Sequence, residues 1–218
     1  MPTSQNYQIS KILNLIIASN PASVLDIGVG FGKYGVLCRE YLELWDGREE
    51  YADFTRKIDG IEAFEKYLTP LHEFIYNKIY IGNATELVDK LENSYDLVLL
   101  IDVLEHFEKN QGRELLEKLL QKNGAVLVSV PKNIGNQKDA FANAYETHVA
   151  EWSKRDFKKL AKTFFVQDYE SRIVYLGKAP QIDRLRKEYF LRKMKHIAKS
   201  VPYASQAYQY IKKYRKKS

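Results

Sequence analysis

Residues 24–32 read Val24-Leu-Asp-Ile-Gly-Val-Gly-Phe-Gly32, and this stretch decides the fold. The apolar run over residues 23–27 is typical of a buried strand. The glycines that follow predict a tight turn whose backbone can approach a ligand closely, and the start of the next helix offers unpaired N–H groups. Glycines also collect in tight turns that bind nothing, so this segment alone leaves both interpretations open.

Asp26 stands inside the predicted strand, where an acidic residue is a poor strand former and costs free energy to bury. We therefore expect its carboxylate to accept hydrogen bonds from a bound cofactor or from N–H groups of the turn. Asp26, Gly28, Gly30 and Gly32 are accordingly candidate cofactor-binding residues.

Outward from the turn, apolar residues alternate between helical and strand spacing, which is typical of an α/β domain. Helical spacing covers residues 9–17, 31–44, 64–74 and 111–121 and resumes at Ser153. Strand spacing covers residues 23–27, 57–62, 76–81, 95–101 and 124–130. The continuous apolar run at 95–101 predicts the central strand of a parallel sheet. Residues 164–169 and 173–176 predict an antiparallel hairpin that ends the sheet.

Composition fits one α/β domain, since the chain has 218 residues of which 45% are hydrophobic. The single cysteine, Cys38, excludes an internal disulfide and a multi-cysteine zinc site, and fits a buried small residue in a reducing compartment. The first residues lack the pattern of a signal peptide, and no apolar run predicts a membrane span. We therefore expect a cytoplasmic protein.

Charge is unevenly distributed along the chain. Residues 181–218 carry 12 Lys and Arg against 2 Asp and Glu, whereas residues 1–180 are net negative. Apolar residues at helical spacing from Ile182 to Ile197 predict a basic amphipathic helix, and a second is predicted around residues 208–214. We therefore divide the chain into a domain, 1–178, and a tail, 179–218. The tail can pack on the domain or on a second subunit, or bind an anionic membrane surface or nucleic acid.

Two motifs resemble a known family. The pattern Asp26-x-Gly-x-Gly-x-Gly32 is similar to the first motif of class I S-adenosylmethionine-dependent methyltransferases. Ile58-Asp-Gly-Ile-Glu62 resembles their second motif, in which an acidic residue holds the ribose hydroxyls of the cofactor. The resemblance implies this role for Glu62, whose two oxygens suit a pair of hydroxyls.

Two later segments continue the resemblance in the same order. Ile81-Gly-Asn-Ala-Thr85 resembles the segment that meets the adenine amino group, with Asn83 where aspartate is common. Tyr95-Asp-Leu-Val-Leu-Leu-Ile-Asp-Val-Leu-Glu-His106 resembles the fourth motif of methyltransferases of ubiquinone biosynthesis and sugar modification. The resemblance thus implies cofactor contacts by Asp26, Gly28, Gly30, Gly32, Glu62, Asn83, Ala84, Asp102 and Val103.

The resemblance covers residues 9–177 and implies the fold. We expect a Rossmann-like, seven-stranded, mostly parallel sheet with an antiparallel terminal strand and helices on both faces, followed by the basic helices. One departure is the spacing, because Glu62 lies 30 residues beyond Gly32. In a dinucleotide site this distance is about 20 residues. The segment 45–56 thus looks inserted, and either extends a helix or borders the substrate opening.

A sulfonium methyl donor is already activated, so we expect catalysis mainly by proximity, with a small-molecule hydroxyl or amine as acceptor. His106 or His148 is the candidate base, with Asp102 and Glu105 as secondary choices. Packing beside the cofactor and anchoring of a loop remain the alternatives for the two histidines. In the loop over residues 131–152, Tyr145 and Trp152 can stack on a sugar or phenol, or pack in the core.

Asp102, Glu105, His106 and His148 resemble the metal ligands of small-RNA 2′-O-methyltransferases and ubiquinone O-methyltransferases, a set that suits Mg²⁺ or Mn²⁺. Asp102 replaces the first glutamate and shortens its reach by one methylene, so we expect a metal-free site and keep these four residues as the alternative.

Three functions remain open: methylation of a small molecule, 2′-O-methylation of RNA, and binding of a nucleotide cofactor, either without catalysis or as a nicotinamide oxidoreductase. The chain reads Ile101-Asp-Val-Leu-Glu105 where enzymes that methylate amino groups of nucleic acids carry Asn/Asp-Pro-Pro-aromatic, which disfavours adenine N6 methylation. A homo-oligomer is a further expectation that the sequence leaves open.

Overall fold

The structure is a computed structural model that describes residues 6–44, 50, 52–135, 137–139 and 142–200. Its strands are β1 (Ser23–Ile27), β2 (Lys57–Glu62), β3 (Lys78–Ile81), β4 (Leu97–Ile101), β5 (Ala125–Pro131), β6 (Lys162–Val166) and β7 (Ser171–Gly177). Its α-helices are α1 (Asn6–Ser19), α2 (Lys33–Glu43), α3 (Pro70–Ile75), α4 (Ala84–Leu87), α5 (Lys109–Lys122), α6 (Lys154–Lys158) and α7 (Ala179–Ser200).

The strands form one sheet in the order β3-β2-β1-β4-β5-β7-β6. Neighbouring strands among β1 to β5 pair in parallel, whereas β7 lies antiparallel between β5 and β6. β4 is the middle strand, as its continuous apolar run predicts, and β6 with β7 forms the predicted hairpin. The expected Rossmann-like fold with an antiparallel end is confirmed.

β4 buries all five of its side chains because helices cover both faces of the sheet. Its alternate residues join two apolar clusters, one that includes α1, α2 and α7, and one that includes α5 and α6. Each large apolar side chain removed from water in this way contributes roughly 1.5–3 kcal/mol. Cys38 is fully buried in the first cluster, which confirms the interpretation of it as a small core residue.

The single helix predicted over residues 64–74 is wrong. Glu65–Tyr67 form one 3-10 turn, the chain is then extended at Leu68, and α3 begins at Pro70. Proline disfavours helical backbone at the residue before it, so Thr69-Pro70 starts a new helix and cannot lie within one.

The last residues of the segment 45–56, which looked inserted, bind the buried carboxylate of Glu43. The backbone N–H groups of Thr55 and Arg56 donate to Glu43 Oε1 at 2.7 and 2.8 Å. α2 ends at this same Glu43, so the described residues do not extend that helix. Residues 45–49 and 51 lie outside the described residues.

α7 confirms the predicted amphipathic helix and joins the core through its first turns, where Ile182 and Leu185 are buried beside α1. The first turns of α7 therefore pack on the residues that precede them. The division into residues 1–178 and 179–218 stays a prediction. The second helix predicted around residues 208–214 lies outside the described residues. Within the described ranges, no helix combines the length and apolar character of a membrane span.

Candidate functional site

A cavity of about 280 Å³ opens at the carboxyl ends of β1, β2 and β4. β1 and β4 are the neighbours at which the strand order reverses, and open α/β sheets bind ligands at such a point. The predicted cofactor residues that line the cavity are Gly28, Gly30, Glu62, Asn83, Ala84, Asp102 and Val103. Asp26 and Gly32 lie outside this lining.

The glycine turn depends on backbone that side chains rarely adopt. Gly28 has φ +75° and donates its N–H to the carbonyl of Ile61 at 2.8 Å, which joins the turn to the end of β2. A Cβ atom at Gly28 would lie 2.5 Å from Cγ2 of Val103. Both the conformation and the close approach thus require glycine at this position.

Glu62 ends β2 and is almost fully buried in the cavity wall. Its two carboxylate oxygens accept hydrogen bonds from the backbone N–H groups of Gly30 and Phe64, each at 2.9 Å. Burial raises the pKa of Glu62, and these two N–H donors oppose that rise. The structure thus brings Glu62 to the glycine turn, as a ribose-binding residue requires.

Asn83 lies in the cavity wall and also caps α4. Its side-chain oxygen accepts from the N–H of Thr85 at 3.0 Å and from the Thr85 hydroxyl at 2.8 Å. A carbonyl oxygen has two lone pairs, so both acceptor directions are used within the turn. The contact of Asn83 with adenine stays a prediction.

Asp26 is buried beneath the turn and has a partner that the sequence did not predict. Its Oδ2 accepts a hydrogen bond from the hydroxyl of Tyr76 at 2.6 Å. Burial raises the pKa of Asp26 to about 7, against the lowering effect of the Tyr76 hydrogen bond. Among the described residues, the printed partner of this carboxylate is thus Tyr76 and not an N–H group of the turn.

Asp102 follows β4 with φ +55°, an uncommon conformation for a residue with a side chain. Its carboxylate accepts from the side-chain amide of Gln8, which also accepts from the hydroxyl of Ser129. Burial raises the pKa of Asp102 to about 6, while Lys33 and these hydrogen bonds lower it. α1 thereby reaches the cofactor edge through Gln8.

The two candidate histidines lie beside each other, with ring centroids 4.9 Å apart. His106 Nδ1 lies 3.0 Å from the carbonyl of Thr147, and His148 Nδ1 lies 2.7 Å from the carbonyl of Ile134. Because a carbonyl oxygen only accepts, each Nδ1 carries a hydrogen and donates it. Burial lowers the pKa of His106, which favours the neutral ring with a lone pair on Nε2. Of the two rings, His106 lines the cavity.

Glu105 completes a group of possible metal ligands. It offers a ligand atom within 4.8 Å of those of both histidines. Glu105 is buried, and its Oε2 has no hydrogen-bond partner among the described residues. Burial raises the pKa of Glu105 well above its usual range, and burial lowers the pKa of His106. Asp102, the fourth residue of the predicted set, is not part of this group.

The segment after β5 forms one wall of the cavity. Tyr145 lines the cavity with an exposed ring. The hydroxyl of Tyr67 donates to Glu146 at 3.0 Å and accepts from Asn143 at 3.1 Å, which ties this segment to the chain after β2. Trp152 is buried and donates to the carbonyl of Leu104, so its packing role is confirmed.

Sequence reasoning missed several residues around the site, among them Tyr67, His72 and Tyr76. His72 Nε2 lies 2.9 Å from the carbonyl of Gly30, and the Tyr76 hydroxyl reaches Asp26. A signal was present, because Thr69-Pro70-Leu-His72 has the threonine and the N3 acceptor of a capping box with a proline at the first helical position. It predicts where α3 begins, which is the element that positions His72 and Tyr76.

The sheet order and the turn bound to Glu62 are those of class I S-adenosylmethionine-dependent methyltransferases. The profile of a family described as "Methyltransferase domain" matches residues 3–164. The chain therefore belongs to this methyltransferase family.

Solved structures share the fold at low sequence identity. An O-methyltransferase family protein from Burkholderia thailandensis has a TM-score of 0.54 and 13% identity, over 78% of this chain and 55% of that chain. The N-terminal domain of EvdMO1, solved in the presence of SAH and D-fucose, has a TM-score of 0.58 and 12% identity, over 81% of this chain and 84% of that chain. The small RNA methyltransferase HEN1 has a TM-score of 0.57 and 21% identity, over 79% of this chain and 25% of that chain.

These identities show a common fold alone. The chain spans about half the length of the Burkholderia protein and a quarter of HEN1. A search of curated proteins finds no match.

Proposed function

We propose that this protein transfers the methyl group of S-adenosylmethionine to a hydroxyl group of a small molecule such as a sugar or a phenol. The observation that carries the proposal is the placement of His106 in the wall of the same cavity that the glycine turn and Glu62 line. The expected donor site and a candidate base thus line one cavity. EvdMO1, which shares the fold, was solved with D-fucose, and this supports a sugar among the candidate acceptors.

On the donor side, Glu62 binds the ribose hydroxyls, Gly28 and Gly30 allow the cofactor to approach the backbone, and Asn83 lies near the adenine. Methyl transfer then depends on alignment. Holding an acceptor oxygen in line with the methyl carbon contributes on the order of 7–11 kcal/mol by proximity.

In the proposed reaction, a lone pair of the acceptor oxygen forms a bond to the methyl carbon. The carbon–sulfur bond breaks, and its electron pair stays on the sulfur of S-adenosylhomocysteine. The hydroxyl proton moves to Nε2 of His106, which holds a lone pair in the neutral ring whose Nδ1 donates to the carbonyl of Thr147. His148 and Glu105 are the neighbours of this ring, each with a polar atom within 4.8 Å of a ring nitrogen of His106.

A divalent ion is a second way to activate the hydroxyl. The residues that would hold it are Glu105, His106 and His148, and they fit because Glu105 Oε2 is a buried acceptor with no partner among the described residues. The Nδ1 contacts of both rings with carbonyls are the support that ligating histidines usually have. Bound there, Mg²⁺ or Mn²⁺ would lower the pKa of an acceptor hydroxyl.

RNA is a second candidate acceptor, favoured by the basic face of α7. Its exposed lysines and arginines suit a phosphate backbone, and a ribose 2′-hydroxyl needs the same base as a sugar or phenol. A panel of acceptors separates the two functions.

The test measures transfer of a labelled methyl group from S-adenosylmethionine to sugars, phenols, amines and a short RNA. We expect transfer to a sugar or phenol, and loss of kcat in His106→Gln with unchanged affinity for S-adenosylhomocysteine. Transfer to RNA or amines alone would contradict the proposal. Metal analysis and EDTA treatment decide the route, since bound metal together with EDTA-sensitive activity would replace His106 as the activating group.

A further inference from the structure

Buried side chains contact both backbone polar groups of Gly30, its N–H and its carbonyl oxygen. Its N–H donates to Glu62 Oε2 at 2.9 Å, and its carbonyl oxygen lies 2.9 Å from Nε2 of His72. Gly30 has φ +51°, which is a left-handed conformation. The two hydrogen-bonded contacts hold the backbone on either side of this angle. Glu62 is part of the predicted cofactor site, whereas His72 does not line the cavity.

The hydrogen bonds of His72 define where its ring proton lies. The backbone N–H of Thr69 donates to Nδ1 at 3.0 Å, so Nδ1 carries a lone pair. The carbonyl of Gly30 only accepts, so the hydrogen lies on Nε2 and is donated to it. These contacts place the ring hydrogen of His72 on Nε2. The hydroxyl of Thr69 also lies 3.1 Å from Nδ1.

Three features keep the ring in this position. His72 is buried and is the third residue of α3, where its Nδ1 contact with Thr69 forms a capping box. Its ring stacks on Tyr76 with an interplanar angle of 14°, and the Tyr76 hydroxyl binds Asp26 in β1. A Cβ atom at Gly32 would lie 3.4 Å from Nε2, which places the ring close under the turn.

We propose that His72 is a positioning residue that holds the glycine turn ready for the cofactor by donating its Nε2–H to the carbonyl of Gly30. The inference rests on the proposed use of this turn as the S-adenosylmethionine site. A turn already in its binding conformation loses less entropy when the ligand arrives, so the ordering cost is met during folding. α3 is, on this view, the element that sets the shape of the turn.

The experiment compares three variants by isothermal titration with S-adenosylhomocysteine, at a temperature where thermal melts show each to be folded. His72→Leu removes both the acceptor and the donor, whereas His72→Gln keeps one of each. Ile75→Ala is the matched control, because Ile75 is a buried residue of the same helix. The control loses packing in α3 without removing a contact to the turn.

We expect His72→Leu to bind S-adenosylhomocysteine roughly tenfold more weakly than wild type, as the loss of one hydrogen bond to a half-buried carbonyl implies. His72→Gln and Ile75→Ala should stay within about threefold of wild type, a smaller loss than the tenfold expected for His72→Leu. Equal affinity of His72→Leu and Ile75→Ala would overturn the inference. Failure of the wild-type protein to bind would instead contradict the proposed function.

A measurement on the wild-type protein covers the case in which His72→Leu does not fold. Long-range ¹H–¹⁵N correlation spectra show which ring nitrogen of His72 carries the proton. The signals of His72 are those that are lost in His72→Gln and kept in Ile75→Ala. We expect the Nε2–H form in the free protein. The Nδ1–H form would overturn the inference, since Nε2 would then have no hydrogen to donate to Gly30.

Discussion

The carboxylate of Glu62 accepts a hydrogen bond from the backbone N–H of Gly30 at 2.9 Å. The end of β2 is thereby connected to the turn after β1 by the side chain that is also expected to bind the cofactor ribose. A carboxylate offers about four lone-pair directions, so Glu62 can hold the turn and still accept from ribose hydroxyls.

Glu62→Gln should weaken binding of S-adenosylhomocysteine by roughly tenfold or more, because an NH₂ group replaces a carboxylate oxygen that accepts from a half-buried backbone N–H. Isothermal titration measures the change. Glu65→Gln is the matched control, since Glu65 is an exposed glutamate on the neighbouring 3-10 turn. Equal affinities of the two variants would show that Glu62 has no role in the cofactor site.

Gly28→Ala should destabilise the protein by about 2 kcal/mol or more, because it adds a Cβ to left-handed backbone and brings it against Val103. Gly135→Ala is the control, since Gly135 has φ +57° but nothing described lies within 4 Å of its added Cβ. Urea denaturation separates the contributions. An equal cost in both variants would mean that the approach of Val103 is not what requires glycine at position 28.

Asp26→Asn should stabilise the protein, and increasingly so as the pH rises. Burial raises the pKa of Asp26 from 3.8 to about 7, so between these values the folded protein holds a proton that the unfolded chain has released. Stability then falls with rising pH, and asparagine removes that loss while keeping an acceptor for Tyr76. Urea denaturation between about pH 5 and about pH 8 should show the gain growing and levelling off above about pH 7. A constant or shrinking gain would contradict the burial of an ionisable group there.

Much of the cavity wall could be predicted because its residues lie in contiguous motifs. Gly28, Gly30 and Glu62 each follow a strand whose apolar pattern is clear, and parallel strands bring their carboxyl ends together. His72 and Tyr76 could not be placed, because their partners, Gly30 and Asp26, are 42 and 50 residues away. Those contacts depend on how α3 packs, which local patterns do not specify.

The acceptor side shows the same limit. Tyr145 and Trp152 lie in one polar loop, and nothing in the local pattern separates them. Trp152 is buried because it packs against Phe157, while its ring fills the space left open at Gly112. Only tertiary packing therefore distinguishes the core aromatic from the exposed ring at the cavity.

Ile182→Ala should cost roughly 2–5 kcal/mol, because Ile182 is fully buried although it belongs to the basic tail. Met194→Ala, on the exposed part of the same helix, should change the free energy of unfolding by less than about 0.5 kcal/mol. Chemical denaturation of both variants tests whether α7 begins inside the domain. Similar small effects would place the whole of α7 outside it.

The central claim is that the glycine turn and Glu62 bind S-adenosylmethionine. The most direct measurement is isothermal titration of the purified protein with S-adenosylhomocysteine and, separately, with NAD. We expect saturable binding of S-adenosylhomocysteine with one site per chain and no binding of NAD. Tight binding of NAD without binding of S-adenosylhomocysteine would contradict it.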